Sequence, residues 1–426
     1  MTRLRPARAR ARLGGAAALV SVALSMVVAG CTSPQTGADT QTSVNRTPAS
    51  TAGPSSSATP TTRSTTAVAD SLAPYAHTGA DQLTGAAVHA KRLVYVPNQV
   101  AGTLQIIDPA THRIIKRVRV PSSPEHVVPN WDMTRLWVNS DKGDALTPID
   151  PATGAVGTPV HLRDPYNLYF TPDGKYALVM AERFRSIDVR DAHTMKLVRS
   201  LHVPTCAGVN HGDFTADLKT FVASCEFSGR LLVVDSDATR LEKVIDLNSV
   251  KTPGATPPGS GMGGPRSGLV MGASAMPQDV RLTPDGKWFM AADMLRNGVW
   301  FIDARTFEID HFVPTAMGAH GIYPSRDARR VFVSNRDAGS ITVFDAATDK
   351  PMSTWKLPGH ATPDMGGVTA DGSQLWLSGR YSSEVYVIDT TDGHLIDRIH
   401  TDAGPHGLLV WPQPGRFSLG HTGNMR

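Results

Sequence analysis

The chain holds only three cysteines, Cys31, Cys206 and Cys225, in 426 residues. Its longest apolar stretch, residues 16–29, is too short to be read as an ordinary membrane span. The local signatures of common catalytic schemes are missing. There is no HExxH, no GxSxG and no Gly-rich phosphate loop, and no CxxCH to attach a c-type haem. Residues 262–268, MGGPRSG, are too irregular for a nucleotide loop. A lasting excess of one charge is also absent. The formal net charge of +4 and pI of about 9.0 rest heavily on Arg3, Arg5, Arg8, Arg10 and Arg12. Without that segment the chain is nearly neutral, so basic charge gives no reason to expect nucleic acid as a partner.

What stands at the start is a leader. The five arginines precede the apolar run, and Cys31 follows it, in the order of n-region, h-region and cleavage site. Val28-Ala29-Gly30-Cys31 resembles the lipobox of bacterial lipoproteins. That resemblance implies loss of residues 1–30, a lipid on Cys31, and a protein held on the outer face of the cytoplasmic membrane. Residues 31–74 are dominated by Ser, Thr, Ala, Pro and Gly, cannot bury enough apolar surface to fold, and read as a disordered tether. A flexible chain of that length reaches roughly 35–40 Å on average.

From residue 75 onward a single unit repeats. An aspartate closes a strand at IIDPAT (Asp108), PIDPAT (Asp150), SIDVRD (Asp188) and VVDSDA (Asp235). It recurs at FIDART (Asp303), VFDAAT (Asp345) and VIDTTD (Asp389). A turn and strand precede most anchors, as in TPDGKYALVM, TPDGKWFMAA and TADGSQLWLS. Repeats of roughly 40–50 residues, each with about four short strands, are the signature of a β-propeller. Seven anchors predict an all-β, seven-bladed propeller over residues 75–426. The first clear strand, RLVYVPN, has no turn strand before it, whereas PHGLLVW follows the seventh unit. The two are expected to pair and close the ring, so loss of the last 22 residues should unfold the head. One interval is longer, and its excess falls in the Gly- and Pro-rich residues 248–277, a binding lid or a disordered excursion.

Tight turns such as PDGK and PATG share one face; the longer connections share the other, where function on such scaffolds resides. Counting back from each turn places His126, Asn167, His211, Asp279, His320, Asp364 and His406 at equivalent positions before the innermost strands, ringing the channel mouth. His126, His211, His320, His406, Asp279 and Asp364 are therefore candidate ligands for copper, zinc or iron. Structural hydrogen bonding inside each blade is the alternative role. Arg183, Arg336 and Arg380 end second strands and would suit a carboxylate- or phosphate-bearing ligand. Met262, Met271, Met276, Met294, Met317 and Met365 lie on the same face, as soft ligands or as gap fillers. Cys206 precedes an innermost strand and Cys225 ends the second strand of the same blade, both on that face; export favours a disulfide, a thiolate metal pair being the alternative.

The segments VYVPN…LQIIDPAT, VFVSNRDAGSITVFDAAT and LWLSGRYSSEVYVIDTTDG resemble the YVTN (YncE-like) β-propeller family across residues 92–412. That family spans surface-layer, binding and lipoprotein members, so the resemblance fixes fold more than function. GVNHGDF and GAHGI are also similar to the haem d-binding propeller of periplasmic nitrite reductase. This second resemblance implies a non-covalent haem, with His211 or His320 as an axial or distal ligand and the arginines as carboxylate partners. No c-type domain accompanies it, so electrons would come from a partner. Seven-bladed lactonases are a third relative, but no distinctive motif supports ring-opening hydrolysis. The expectation is a monomeric, lipid-anchored binding protein whose loop face takes a small ligand or protein partner. The alternative is a metal- or haem-dependent redox protein; no catalytic residue is named by the sequence.

Overall fold

A computed structural model describes residues 73–252 and 273–426. The leader, Cys31, nearly all of the tether, and most of the 248–277 insertion with Met262 and Met271 lie outside the described residues.

Short strands of β-branched and aromatic residues, separated by Asp- and Gly-bearing turns, pair antiparallel into seven sheets. Blade 2 runs through Pro124–Pro129, Leu136–Ser140 and Ala145–Asp150, with the short strands Ala155–Val156 and Val160–His161 at its edge. Blade 3 spans Asn167–Phe170 to Leu197–His202, blade 4 Val209–Phe214 to Leu241–Asp246, and blade 5 Pro277–Leu282 to Ile309–Pro314. Blades 6 and 7 span Ala319–Pro324 to Lys350–Lys356 and Pro363–Val368 to Leu395–His400. Blade 1 is built from both ends of the domain. Leu409–Trp411 forms its innermost strand, followed by Leu93–Asn98, Thr103–Asp108 and Arg113–Arg119. The pairs Leu93–Trp411, Val94–Val410 and Tyr95–Leu409 close the ring as the sequence predicts.

Inner strands are buried on both faces, whereas outer ones such as Arg113–Arg119 alternate or lie exposed. No blade can bury its two apolar faces alone. Accordingly each interface between neighbouring blades holds its own apolar cluster; Leu178, Phe214 and Phe221 lie between blades 3 and 4, and Val94, Trp376 and Val410 between blades 7 and 1.

The structure corrects one anchor. Tyr176 pairs with Asp191 as Arg330 pairs with Asp345, so Asp191, not Asp188, closes the third strand of blade 3. Asp191 accepts the turn N–H of Thr194, as Asp345 accepts that of Thr348. Asp188 sits three residues earlier, buried against Arg163 and Arg190. The two aspartates lie three residues apart in SIDVRD, and pairing register separates them.

Candidate functional site

The innermost strands begin at the loop face and end at the tight turns. In blades 2, 4, 5, 6 and 7 the first residues are bulged: pairing slips at Pro124/His126, Val209/Gly212, Pro277/Val280, Ala319/Ile322 and Pro363/Gly366. A bulge breaks strict alternation and re-aims side chains. Glu125 and His126, adjacent in sequence, thereby both reach groups in the channel. The repeated His-Gly pairs have a steric reason. A Cβ on Gly407 would lie 2.1 Å from the His126 ring, and one on Gly321 2.3 Å from the Tyr323 hydroxyl.

Five imidazoles meet in the hub: His126, His211, His320, His406 and His421, all 0–2 % exposed. They lie inside the channel and not at its mouth. Their donor atoms fall into two groups, each within 4.8 Å: His126, His211 and His421, and His320, Asp364 and His406. The groups are neighbours, with the rings of His126 and His406 4.8 Å apart between centroids. Nδ1 of His126 faces the Tyr166 carbonyl at 3.0 Å, Nδ1 of His406 faces Glu125 at 2.9 Å, and Nδ1 of His211 faces Asn210 Oδ1 at 3.1 Å. Each acceptor holds its ring as the Nδ1–H tautomer, which leaves the Nε2 lone pair free. Nε2 of His126 and Nε2 of His211 then face each other at 3.2 Å. Two lone pairs at that distance need a proton or a cation between them. Two ligands of a tetrahedral ion with metal–nitrogen distances near 2.0–2.1 Å stand about 3.3 Å apart. His320 Nδ1, His406 Nε2, Asp364 Oδ2 and His421 Nε2 are buried without a hydrogen-bond partner.

Burial keeps these rings neutral, the ligating form. It holds His126 down to about 4 and His211, His320, His406 and His421 well below the usual histidine range. Above the hub opens a cavity of about 430 Å³ on the loop face, lined by Glu125, Asp141, Glu182, Glu226, Tyr166 and Arg380 among others. Burial raises Asp141 to about 6, pushes Glu182 well above the usual carboxylate range and raises Glu226.

Other candidates fall elsewhere. Asp279 accepts the Ile322 N–H and pairs with Arg281, lying 3.6 Å from His421 Nε2 but in neither donor group. Asn167 sets the His421 ring, 2.8 Å from its Nδ1. Arg183 lines the cavity, with its guanidinium occupied by Asp144 and Asp164. Arg336 and Arg380 do face the hub, paired with Asp364 at 3.2 Å and Glu125 at 3.5 Å. Met276 and Met294 line the cavity, Met365 is buried and Met317 is half-exposed. Cys206 and Cys225 form a disulfide within blade 4.

These residues suit a bare ion better than a haem. A macrocycle would have to occupy the cavity, where His320 is the one lining histidine, and would meet four carboxylates and three arginines that already have partners. Sequence reasoning missed Glu125 and His421. The first was legible as the neighbour of His126 in SPEHV. The second lies in the tail beyond the last repeat, where periodic alignment does not reach.

Fold and site together define a seven-bladed β-propeller with an imidazole-lined hub. The YncE-like beta-propeller family model matches residues 63–252 and 310–414. The chain belongs to that family. No curated protein sequence matches it. Among solved structures it is similar to hydrazine synthase of Kuenenia stuttgartiensis, at 17 % identity and TM-score 0.55 over 71 % of this chain and 94 % of that one. It is also similar to the dihydro-heme d1 dehydrogenase NirN in complex with DHE, at 16 % identity and TM-score 0.51, covering 72 % and 63 %. A putative 6-phosphogluconolactonase from Bacteroides uniformis gives 16 % identity and TM-score 0.57, covering 74 % and 98 %. At these identities the likeness is one of fold.

Proposed function

We propose that this YncE-like propeller is an extracytoplasmic lipoprotein that binds a transition-metal ion in its hub and admits a small ligand from the loop-face cavity. The observation that carries the reading is the facing pair His126 Nε2 and His211 Nε2, 3.2 Å apart, with both Nδ1 atoms committed to acceptors. Imidazoles with one carboxylate and no thiolate favour borderline ions such as zinc, copper, iron or nickel. The anchor rests on the leader and on Cys31; a Cys31→Ala variant is expected to move from the membrane to the soluble extracytoplasmic fraction.

The test is metal content and an absorption spectrum of the full chain after export. Near-stoichiometric metal in the wild type, and its loss in His211→Ala with the fold retained, is the expected result. A folded chain that neither retains nor takes up metal refutes the reading, and a Soret band would favour haem instead. A second reading, a protein partner on the loop face, is favoured by exposed Val100, Phe184, Met317 and Tyr381 in loop-face connections. It predicts that substituting these residues abolishes capture of that partner without altering metal content.

A further inference from the structure

The last residues of the chain do more than follow the closing strand. Gly415 bonds the Gln82 carbonyl, Ser418 that of Trp131, and Leu419 accepts from Phe170. The chain then turns inward from the tight-turn end of the channel. Asn424 donates to the Gly212 carbonyl, and Arg426 pairs with buried Asp213 at 2.6 Å. Leu419, His421, Asn424 and Met425 are 0–2 % exposed. This plug carries His421 into the hub, against the rings of His126 and His211 at 5.3 and 5.1 Å between centroids.

Resting on the metal-binding reading above, we infer that the hub is a two-metal centre, with one divalent transition-metal ion held by His126, His211 and the tail-borne His421, and a second by His320, Asp364 and His406. Two observations carry this independently. In the first group two Nε2 atoms face each other and His421 Nε2 has no partner. As it stands the Asn167 amide N–H donates to His421 Nδ1, so for Nε2 to ligate the amide has to turn its oxygen toward a protonated Nδ1, giving up the bond that oxygen accepts from the Leu168 N–H at 2.9 Å. In the second group three buried polar atoms lack partners at once. His320 Nδ1 lies 3.1 Å from Asp364 Oδ1 without hydrogen-bond alignment, and His406 Nε2 lies 3.7 Å from Asp364 Oδ2. Outside this second group, Glu125 orients His406 and Arg336 holds Asp364, the arrangement that fixes ligand rings and carboxylates around an ion. A single ion cannot take six donors spread over two groups and satisfy both.

The experiment is titration of the metal-stripped full chain with Zn²⁺ and with Co²⁺, read by native mass spectrometry and by the Co²⁺ visible spectrum. Two equivalents are expected for the wild type, one for His421→Ala, one for Asp364→Ala, and none for the double variant. His421→Gln, which keeps a side chain in the plug, should behave as His421→Ala, and circular dichroism checks the fold of each. One equivalent in the wild type, lost in either single variant, overturns the two-metal inference and leaves the single-ion reading standing. Two equivalents retained by His421→Ala overturn the role of the tail. No uptake by the folded wild type overturns both readings.

Discussion

Ring closure makes a demanding prediction about the C-terminus. Deleting residues 405–426 removes the innermost strand of blade 1 and the channel plug together. Six apolar side chains that are 0–4 % exposed go with it: Leu408, Leu409, Val410, Trp411, Leu419 and Met425. At roughly 1.5–3 kcal/mol for each fully buried side chain, the loss is about 9–18 kcal/mol, and less if the unfolded chain is itself compact. Whole domains are stable by only about 5–15 kcal/mol. The truncated chain also presents Leu93–Asn98 as a bare sheet edge, a template for aggregation. Deleting residues 413–426 keeps the closing strand and removes Leu419 and Met425, costing about 3–6 kcal/mol from those two side chains. The expected outcome is an unfolded or aggregated product for the longer deletion and a folded, less stable propeller for the shorter one. Near-ultraviolet circular dichroism and urea unfolding read the difference. A chain ending at residue 404 that unfolds cooperatively at the wild-type midpoint would show that the ring does not depend on its closing strand.

Replacing Cys206 and Cys225 by alanine opens a loop with a sequence separation of 19 residues and should lower stability by about 3 kcal/mol in urea titration. Unchanged stability would mean that the link does not restrain the unfolded chain. Arg336→Ala strands the buried Asp364 carboxylate and should cost about 3–5 kcal/mol, whereas Arg336→Ala combined with Asp364→Asn should recover part of the loss. Glu125→Gln weakens the hold on His406 and should lower metal affinity about 10–100-fold with the fold intact, measured by competition with a chelator. His126 is held at about 4 in the folded protein against about 6.5 when unfolded, so the unfolded chain binds the proton more readily. Its effect on stability is absent above pH 6.5 and grows as pH falls toward 4. The stability of the metal-stripped wild type relative to His126→Gln should therefore drop by about 3 kcal/mol across that window. A difference that widens in favour of the wild type on acidification would contradict the burial of a neutral ring.

The propeller was legible in the chain because each blade is a local object. Alternating apolar residues, Asp-bearing turns and a repeat of fairly even length are written within a few dozen residues, and a blade with two apolar faces has to stack. The same periodicity placed His126, His211, His320, Asp364 and His406 at one level, since equivalent positions in a ring face a common axis. Three things lay beyond it. Asp188 and Asp191 are separated by pairing register. The depth of the histidines, and the pairing of Glu125 with His126 toward one channel, follow from bulges that break alternation. His421 joins the hub because a non-repeating tail folds back from the tight-turn end, held by Asp213 and by backbone carbonyls of blades 2–4. Periodicity therefore decided the fold and the candidate ring. Which donors share an ion depends on distances of a few ångströms between residues from different blades, and those exist only once the ring is closed.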